Sequence, residues 1–192
     1  MKRRDFLKAS AAFGSAMILP SAATARVKGA NSRAKIAVIG WGGQGKSSVN
    51  SIVNSPDADL VALCDVDEGH AAACYRDDRS KGLMDKIRGL PQFKDYRVML
   101  DKMGKDIDAV CVSTPDHSHF KITLDAMQCG KHVCVQKPLV HNIWQCRELE
   151  RARRYYKVQT QMMNQGHATE GIRLLKEWHD TGIAGPVREV HV

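Results

Sequence analysis

Along the chain, hydrophobic positions fall into short continuous runs alternating with stripes at helical spacing. Val158–Met163 (VQTQMM) reads as a further strand, while Lys35–Ile39 (KIAVI), Leu60–Cys64 (LVALC), Ala109–Ser113 (AVCVS) and Val133–Val135 are such runs. Their brevity and lack of alternation predict strands buried on both faces of a parallel sheet. Between them, Val49, Ile52 and Val53 recur at helical spacing, and Val98–Met103 suits a helix. Phe120, Leu124 and Met127 form a stripe stopped by Gly130. Asn142 with Gln145 marks a helix start that puts Ile143, Cys146 and Leu149 on one face. Glu68–Arg79 reads as a polar, alanine-rich surface helix, and Ser80–Leu90 as an excursion before a short strand near Phe93. Thr169 is placed to cap a last helix with Ile172, Leu175 and Trp178 inward. Strands and helices in alternation predict an α/β fold built on a doubly wound parallel sheet. Pro186–Val192 (PVREVHV) differs, because its polar and apolar residues alternate. It predicts a strand of another sheet with one exposed face, the start of a second α/β domain in a longer protein.

The first strand runs directly into Gly40-Trp41-Gly42-Gly43-Gln44-Gly45. Gly40, Gly42 and Gly45 satisfy G-x-G-x-x-G, with a strand before it and a helix after it, as a pyrophosphate-binding turn requires. The second strand ends in Asp65, about twenty residues past Gly45, where a dinucleotide fold places its ribose-binding acid. A carboxylate there binds both ribose hydroxyls and repels a 2′-phosphate, and Val66 rather than Arg follows it, so NAD is favoured over NADP.

Composition narrows the class. With 43% hydrophobic and 26% charged residues over 192 positions, the chain can bury a core. The net charge of +8 includes +3 from Lys2, Arg3, Arg4 and Lys8 against Asp5. The basic cluster Arg147–Lys157 carries Glu148 and Glu150 within a predicted helix, so it reads as a solvated face and not as a nucleic-acid patch. His117 and His119 could be imagined as a metal pair, yet no further ligands stand at recognised spacing, so no metal site is expected. The start, MKRRDFLKASAAFGSAMILPSAATA, has paired arginines, a short apolar middle and a small-residue cleavage site. It reads as a twin-arginine-type export signal, a receptor-read address that leaves no membrane anchor once removed. Six cysteines would then invite disulfides, but Cys64, Cys111 and Cys134 lie in buried runs, so free thiols are expected.

Four stretches, GWGGQG at 40–45, CD at 64–65, STPDHSH at 113–119 and QKPL at 136–139, stand in the order and spacing of the Gfo/Idh/MocA oxidoreductase superfamily. The chain resembles that family over Lys35–Val192. The resemblance implies an NAD-binding Rossmann domain over 35–163, after an export signal at 1–25 and a lead at 26–34. Residues 164–192 would begin a C-terminal domain for substrate and homo-oligomerisation. It implies a sugar or polyol substrate. It maps the family's Glu-Lys-Pro lysine onto Lys137, beside nicotinamide and substrate, with Gln136 where the family has Glu. Thr114 and Pro115 would pack on the cofactor, while His119 and Asn164, Gln165 and His167 would line the nicotinamide end. Lysine before proline at a strand end is held extended, and its ammonium can donate to a hydroxyl or, deprotonated, act as a base. The family's usual catalytic histidine lies further on and has no counterpart in this chain. The export signal, QKPL and MNQGH together look most like exported members, some of them similar to NAD-dependent glycoside hydrolases. The expected function is thus oxidoreduction of a sugar or polyol with tightly held, internally recycled NAD. Redox-neutral glycoside hydrolysis and non-catalytic dinucleotide or sugar binding stay open.

Overall fold

Six short strands lie side by side in one all-parallel sheet, in the order β3-β2-β1-β4-β5-β6. They are β1 (Ala34–Ile39), β2 (Ala58–Cys64), β3 (Gln92–Phe93), β4 (Ala109–Val112), β5 (His132–Val135) and β6 (Thr160–Met162). The computed structural model describes residues 33–77, 80–183 and 185–191; the expected export signal and residues 26–32 of the lead lie outside them. The helices are α1 (Gly45–Val53), α2 (Glu68–Ala73), α3 (Lys81–Ile87), α4 (Tyr96–Met103), α5 (His119–Gln128), α6 (Ile143–Tyr156) and α7 (Glu170–Asp180). None of the described helices is long and apolar enough to cross a membrane.

Because successive side chains of a strand point to opposite faces, each central strand feeds two cores. Ala37 and Ile39 of β1, Ala62 and Cys64 of β2, and Val110 and Val112 of β4 share one core with Met99 of α4, Ile122 and Ala126 of α5 and Leu149 of α6. Val38, Leu63 and Cys111, one residue out of phase, share the other with Val49 of α1, Ala71 of α2 and Leu83 and Ile87 of α3. The doubly wound sheet is therefore covered on both faces, as its uninterrupted apolar strands require.

Several expected elements differ. The surface helix expected over Glu68–Arg79 is shorter, stopping at Ala73 with Ala71 its buried residue, and Tyr75 just beyond it turns inward to full burial. The excursion at Ser80–Leu90 contains helix α3, whose Leu83 and Ile87 are both buried. In α5 the most buried residues are His119, Ile122, Thr123, Ala126 and Met127, a stripe offset from Phe120 and Leu124. In α6, Asn142 caps as expected, accepting from the Gln145 N–H at 2.9 Å, while the Gln145 side chain accepts from the His141 N–H at 2.9 Å. Its buried stripe is Leu149 and Ala152, however, and Ile143 and Cys146 are exposed. A stripe shows which residues share a face, but not how far the surface opposite extends. Ile172, Leu175 and Trp178 of α7 are exposed, not inward, and Thr169 makes no side-chain cap. Residues 186–191 form no strand; no neighbouring strand among the described residues offers them backbone partners.

All six cysteines are free thiols. Burial, helped by the adjacent Asp65 charge, pushes the Cys64 thiol up to about 12, and burial pushes Cys134 up to about 11 and raises Cys111. A raised pKa leaves less thiolate at any given pH, and the thiolate is the reactive form. In the native protein at mildly alkaline pH, an alkylating reagent should therefore label exposed Cys129 and Cys146 well before Cys64 and Cys111. Peptide mass spectrometry over a labelling time course reads the order; early modification of Cys64 would contradict it.

Candidate dinucleotide site

At the end of β1, Gly40 turns the chain with φ of 80°, and a Cβ there would lie 2.8 Å from backbone atoms of Ser113 and Thr114. Gly45 is tighter, since an added Cβ would sit 1.9 Å from the Gly40 carbonyl oxygen. That absence of side chain lets α1 begin directly over the turn. At Gly42 a Cβ would come within 3.1 Å of Ala71 Cα, so α2 leans on the loop as well. No side chain caps α1 and no acid occupies its first turn, which leaves its positive end for an outside anion.

The loop is tied down from behind. The Trp41 N–H donates to Asp65 Oδ2 at 3.2 Å, and the Asp67 N–H to Asp65 Oδ1 at 3.1 Å. The Tyr75 hydroxyl donates to the Trp41 carbonyl at 2.8 Å, and burial raises the pKa of this phenol and so keeps it a donor. The Gly43 N–H reaches Cys74 Sγ at 3.3 Å. Lys46 Nζ donates to the Cys74 carbonyl at 3.0 Å and pairs with Asp77. Four glycines in six residues would make a mobile loop by themselves, and these contacts remove that freedom.

In front of the loop lies a cleft of about 770 Å³. Gly40, Gly42, Gly43 and Gln44 form one wall, Asp65 and Asp67 stand at the end of β2, and Thr114 and Pro115 at the end of β4. The cleft sits at the carboxyl ends of the strands where the order reverses between β1 and β4, the place where open α/β sheets bind ligands. His70, Lys94, His117 and Lys121 also line it. Of these, only His117 stood out in the sequence, where it was weighed as a metal ligand. A second cleft of about 600 Å³ is lined by Ser48, Met163, Asn164, Gln165 and His167, and Gln44 borders both. The glycine cradle, the unclaimed helix terminus and the strand-end carboxylate fit a dinucleotide.

Four expected residues are placed differently from the rest. Trp41 contributes its backbone only, because its ring is buried and packs on Tyr75 with centroids 5.4 Å apart. His119 does not line either cleft; it is fully buried beneath them, with both ring nitrogens directed at backbone carbonyls. Gln136 turns inward, 4% exposed, with its amide nitrogen 3.1 Å from Met163 Sδ and its Oε1 unpartnered among the described residues. It therefore does not face Lys137, which is exposed just past β5, before a cis peptide to Pro138, and borders neither cleft. Neighbours at the end of a strand point to opposite sides, which is why the two part. The roles of Asp67, Cys74 and Tyr75 were missed. Asp67 carried a local signal, as an N-cap before Glu68-Gly69-His70, and its side chain accepts from the His70 N–H at 2.9 Å.

Comparison with known proteins agrees with this geometry. Residues 34–164 match the model of an oxidoreductase family described as an NAD-binding Rossmann fold, GFO_IDH_MocA. A protein of Phocaeicola vulgatus named glycosyl hydrolase family 109 protein 3 is 33% identical over 114 residues, 58% of this chain and 20% of that protein. A glycosyl hydrolase family 109 protein of Streptomyces coelicolor is 26% identical over 168 residues, 82% of this chain and 33% of that protein. The chain thus spans a third or less of the length of these two curated relatives. Among solved structures, myo-inositol 2-dehydrogenase from Lactobacillus plantarum superposes with a TM-score of 0.67 at 23% identity, covering 81% of this chain and 43% of that one. Scyllo-inositol dehydrogenase from Lactobacillus casei, solved with NAD(H) and scyllo-inositol, gives a TM-score of 0.66 at 22% identity, covering 80% and 42%. At that identity the structures establish the fold, and the family model, which covers more than half of the sequence, establishes the lineage: this chain belongs to the Gfo/Idh/MocA oxidoreductase family and carries its NAD-binding Rossmann domain.

Proposed function

We propose that the full-length protein is an NAD-dependent enzyme acting on a hydroxyl of a sugar or related polyol, with its cofactor retained through successive turnovers. The observation that carries this reading is the glycine cradle beneath an uncapped helix terminus, with Asp65 across the same cleft. In it, the backbone of Gly40–Gly45 holds the pyrophosphate and Asp65 holds the adenosine ribose. Thr114 and Pro115 pack on the cofactor, and Asn164 and Gln165 flank its nicotinamide end. NAD bound there supplies a reversible hydride acceptor. Lys137 stands beside the substrate hydroxyl: its neutral amine accepts the hydroxyl proton at Nζ, and the ammonium so formed donates to the oxygen left behind. Lys137 is free for that role, since its side chain makes no ion pair or hydrogen bond among the described residues. The second cleft and the exposed stripe of α7 are where the C-terminal part, with its substrate-binding and oligomer-forming surfaces, would join.

Retention of the cofactor follows from the expected export signal at 1–25. Outside the cytoplasm there is no nicotinamide pool to exchange with, so a spent cofactor must be restored in place. Redox-neutral glycoside hydrolysis meets the same requirement, and it is the reading favoured by the relatives named as glycosyl hydrolases. Protein purified without added nucleotide should carry bound NAD or NADH. During steady turnover of a sugar or a nitrophenyl glycoside it should show no net gain in the near-ultraviolet absorbance of NADH. Release of free reducing sugar under those conditions selects the hydrolase reading. Cofactor-free protein that liberates one NADH per turnover would refute cofactor retention and leave a conventional dehydrogenase.

A further inference from the structure

The first residue of α5, His119, is fully buried, and its ring lies between the two loops that leave β4 and β5. Nδ1 is 2.7 Å from the Pro138 carbonyl oxygen and Nε2 is 2.7 Å from the Thr114 carbonyl oxygen. Carbonyl oxygens only accept, so the ring nitrogen that carries the proton donates to the carbonyl it faces, and the ring as a whole is wedged between the two loops. An apolar side chain of the same size would fill the space and leave the donated hydrogen bond unmade, so packing alone does not account for a histidine here.

What the ring joins gives the contact its meaning. Thr114 is in the wall of the larger cleft, and its side-chain oxygen is already fixed by the Ser118 hydroxyl at 2.8 Å. Pro138 follows Lys137 directly. On the other side of Lys137, Gln136 is buried and its N–H donates to the Val112 carbonyl at 2.9 Å. The backbone of Lys137 is therefore anchored before and after, and the later anchor is His119. We propose that His119 is a positioning residue: from the first turn of α5, beside the Thr114–Pro115 wall of the cofactor cleft, its ring holds the Pro138 carbonyl and so fixes Lys137 relative to that wall. The proposal rests on the reading that NAD fills this cleft and Lys137 works beside it.

Two substitutions separate the two ends of the ring. His119→Asn keeps a donor near the Nδ1 position, toward Pro138, whereas His119→Gln keeps one near the Nε2 position, toward Thr114. In the full-length parent, saturating NAD should slow acetylation of Lys137 by acetic anhydride about tenfold, as mass action on a shielded amine predicts. Peptide mass spectrometry reads the rate. Both variants should bind NAD within about threefold of the parent, because the glycine loop and Asp65 are untouched, a difference well under 1.4 kcal/mol. Shielding of Lys137 should persist in the Asn variant and vanish in the Gln variant. Equal shielding in both, or loss in both, overturns the proposal and leaves the cofactor site standing. Failure of the parent to bind NAD overturns the cofactor reading, and this proposal with it. A measurement on the unmodified protein guards against variants that do not fold. In a sample labelled with nitrogen-15 at histidine, His119 should show a slowly exchanging Nδ1–H resonance, as donation to the Pro138 carbonyl requires, and a ring protonated only at Nε2 overturns the proposal.

Discussion

Alanine in place of Gly45 is expected to lower NAD affinity by at least about a hundredfold, roughly 2.7 kcal/mol, and to destabilise the domain as well. The added methyl would lie 1.9 Å from the Gly40 carbonyl oxygen, a backbone atom that cannot move without carrying the turn with it. Relief of the clash displaces Gly40 or the start of α1, and with either the amides that face the cleft. Overpacking of this kind costs about 1–3 kcal/mol, which for a domain of this size corresponds to a melting point lower by several degrees. The same replacement at Gly82 should have the opposite sign. Gly82 lies within α3, would have nothing within 4 Å of an added Cβ and carries no positive φ. Alanine there should stabilise by about 0.5–1 kcal/mol and leave NAD binding unchanged. Thermal melts with calorimetric titration of NAD measure both variants. Retention of affinity within threefold in Gly45→Ala would show that the turn is not the cofactor's cradle.

Asp65→Ala should weaken NAD by roughly ten- to a hundredfold, the loss expected for hydrogen bonds to a charged group worth about 1.5–3 kcal/mol. Part of that loss comes from the protein itself, because the same carboxylate receives the Trp41 N–H and so helps hold the loop. NADP should lose far less. Two like charges about 4 Å apart near a protein surface repel by roughly 4 kcal/mol, and the substitution removes that repulsion from the 2′-phosphate. Parallel titrations with the two cofactors give the ratio. Equal loss for both would place the ribose elsewhere.

The glycine loop and Asp65 were legible because each answers a local demand: a turn that no Cβ can occupy, and an acid at the end of a buried strand. The central strands were legible for a related reason, since Val38 and its neighbours Ala37 and Ile39 feed opposite cores and a run buried on both sides must be apolar throughout. Helix α3 was hidden because only Leu83 and Ile87 reach the core from Lys81-Gly82-Leu83-Met84-Asp85-Lys86-Ile87, too few for a stripe to stand out. Tyr75 and Cys74 were hidden for another reason. Their partners, Trp41 and Gly43, lie more than thirty residues earlier, and no local pattern reports a contact of that range. His119 belongs to the same class: its motif marked the position, but which atoms its nitrogens reach is decided by how the loops after β4 and β5 come together.

The bonds that hold the glycine loop from behind also bear on time. With Tyr75, Cys74 and Asp65 all attached to it within the protein, the loop is ordered before a nucleotide arrives. The conformational entropy of its glycines is surrendered during folding and is not lost a second time on association. Affinity gained in this way shows mainly as a long residence time, since arrival is limited by diffusion and orientation whatever the loop does. Under the proposed function, that slow release is what keeps the nucleotide on the protein through successive turnovers.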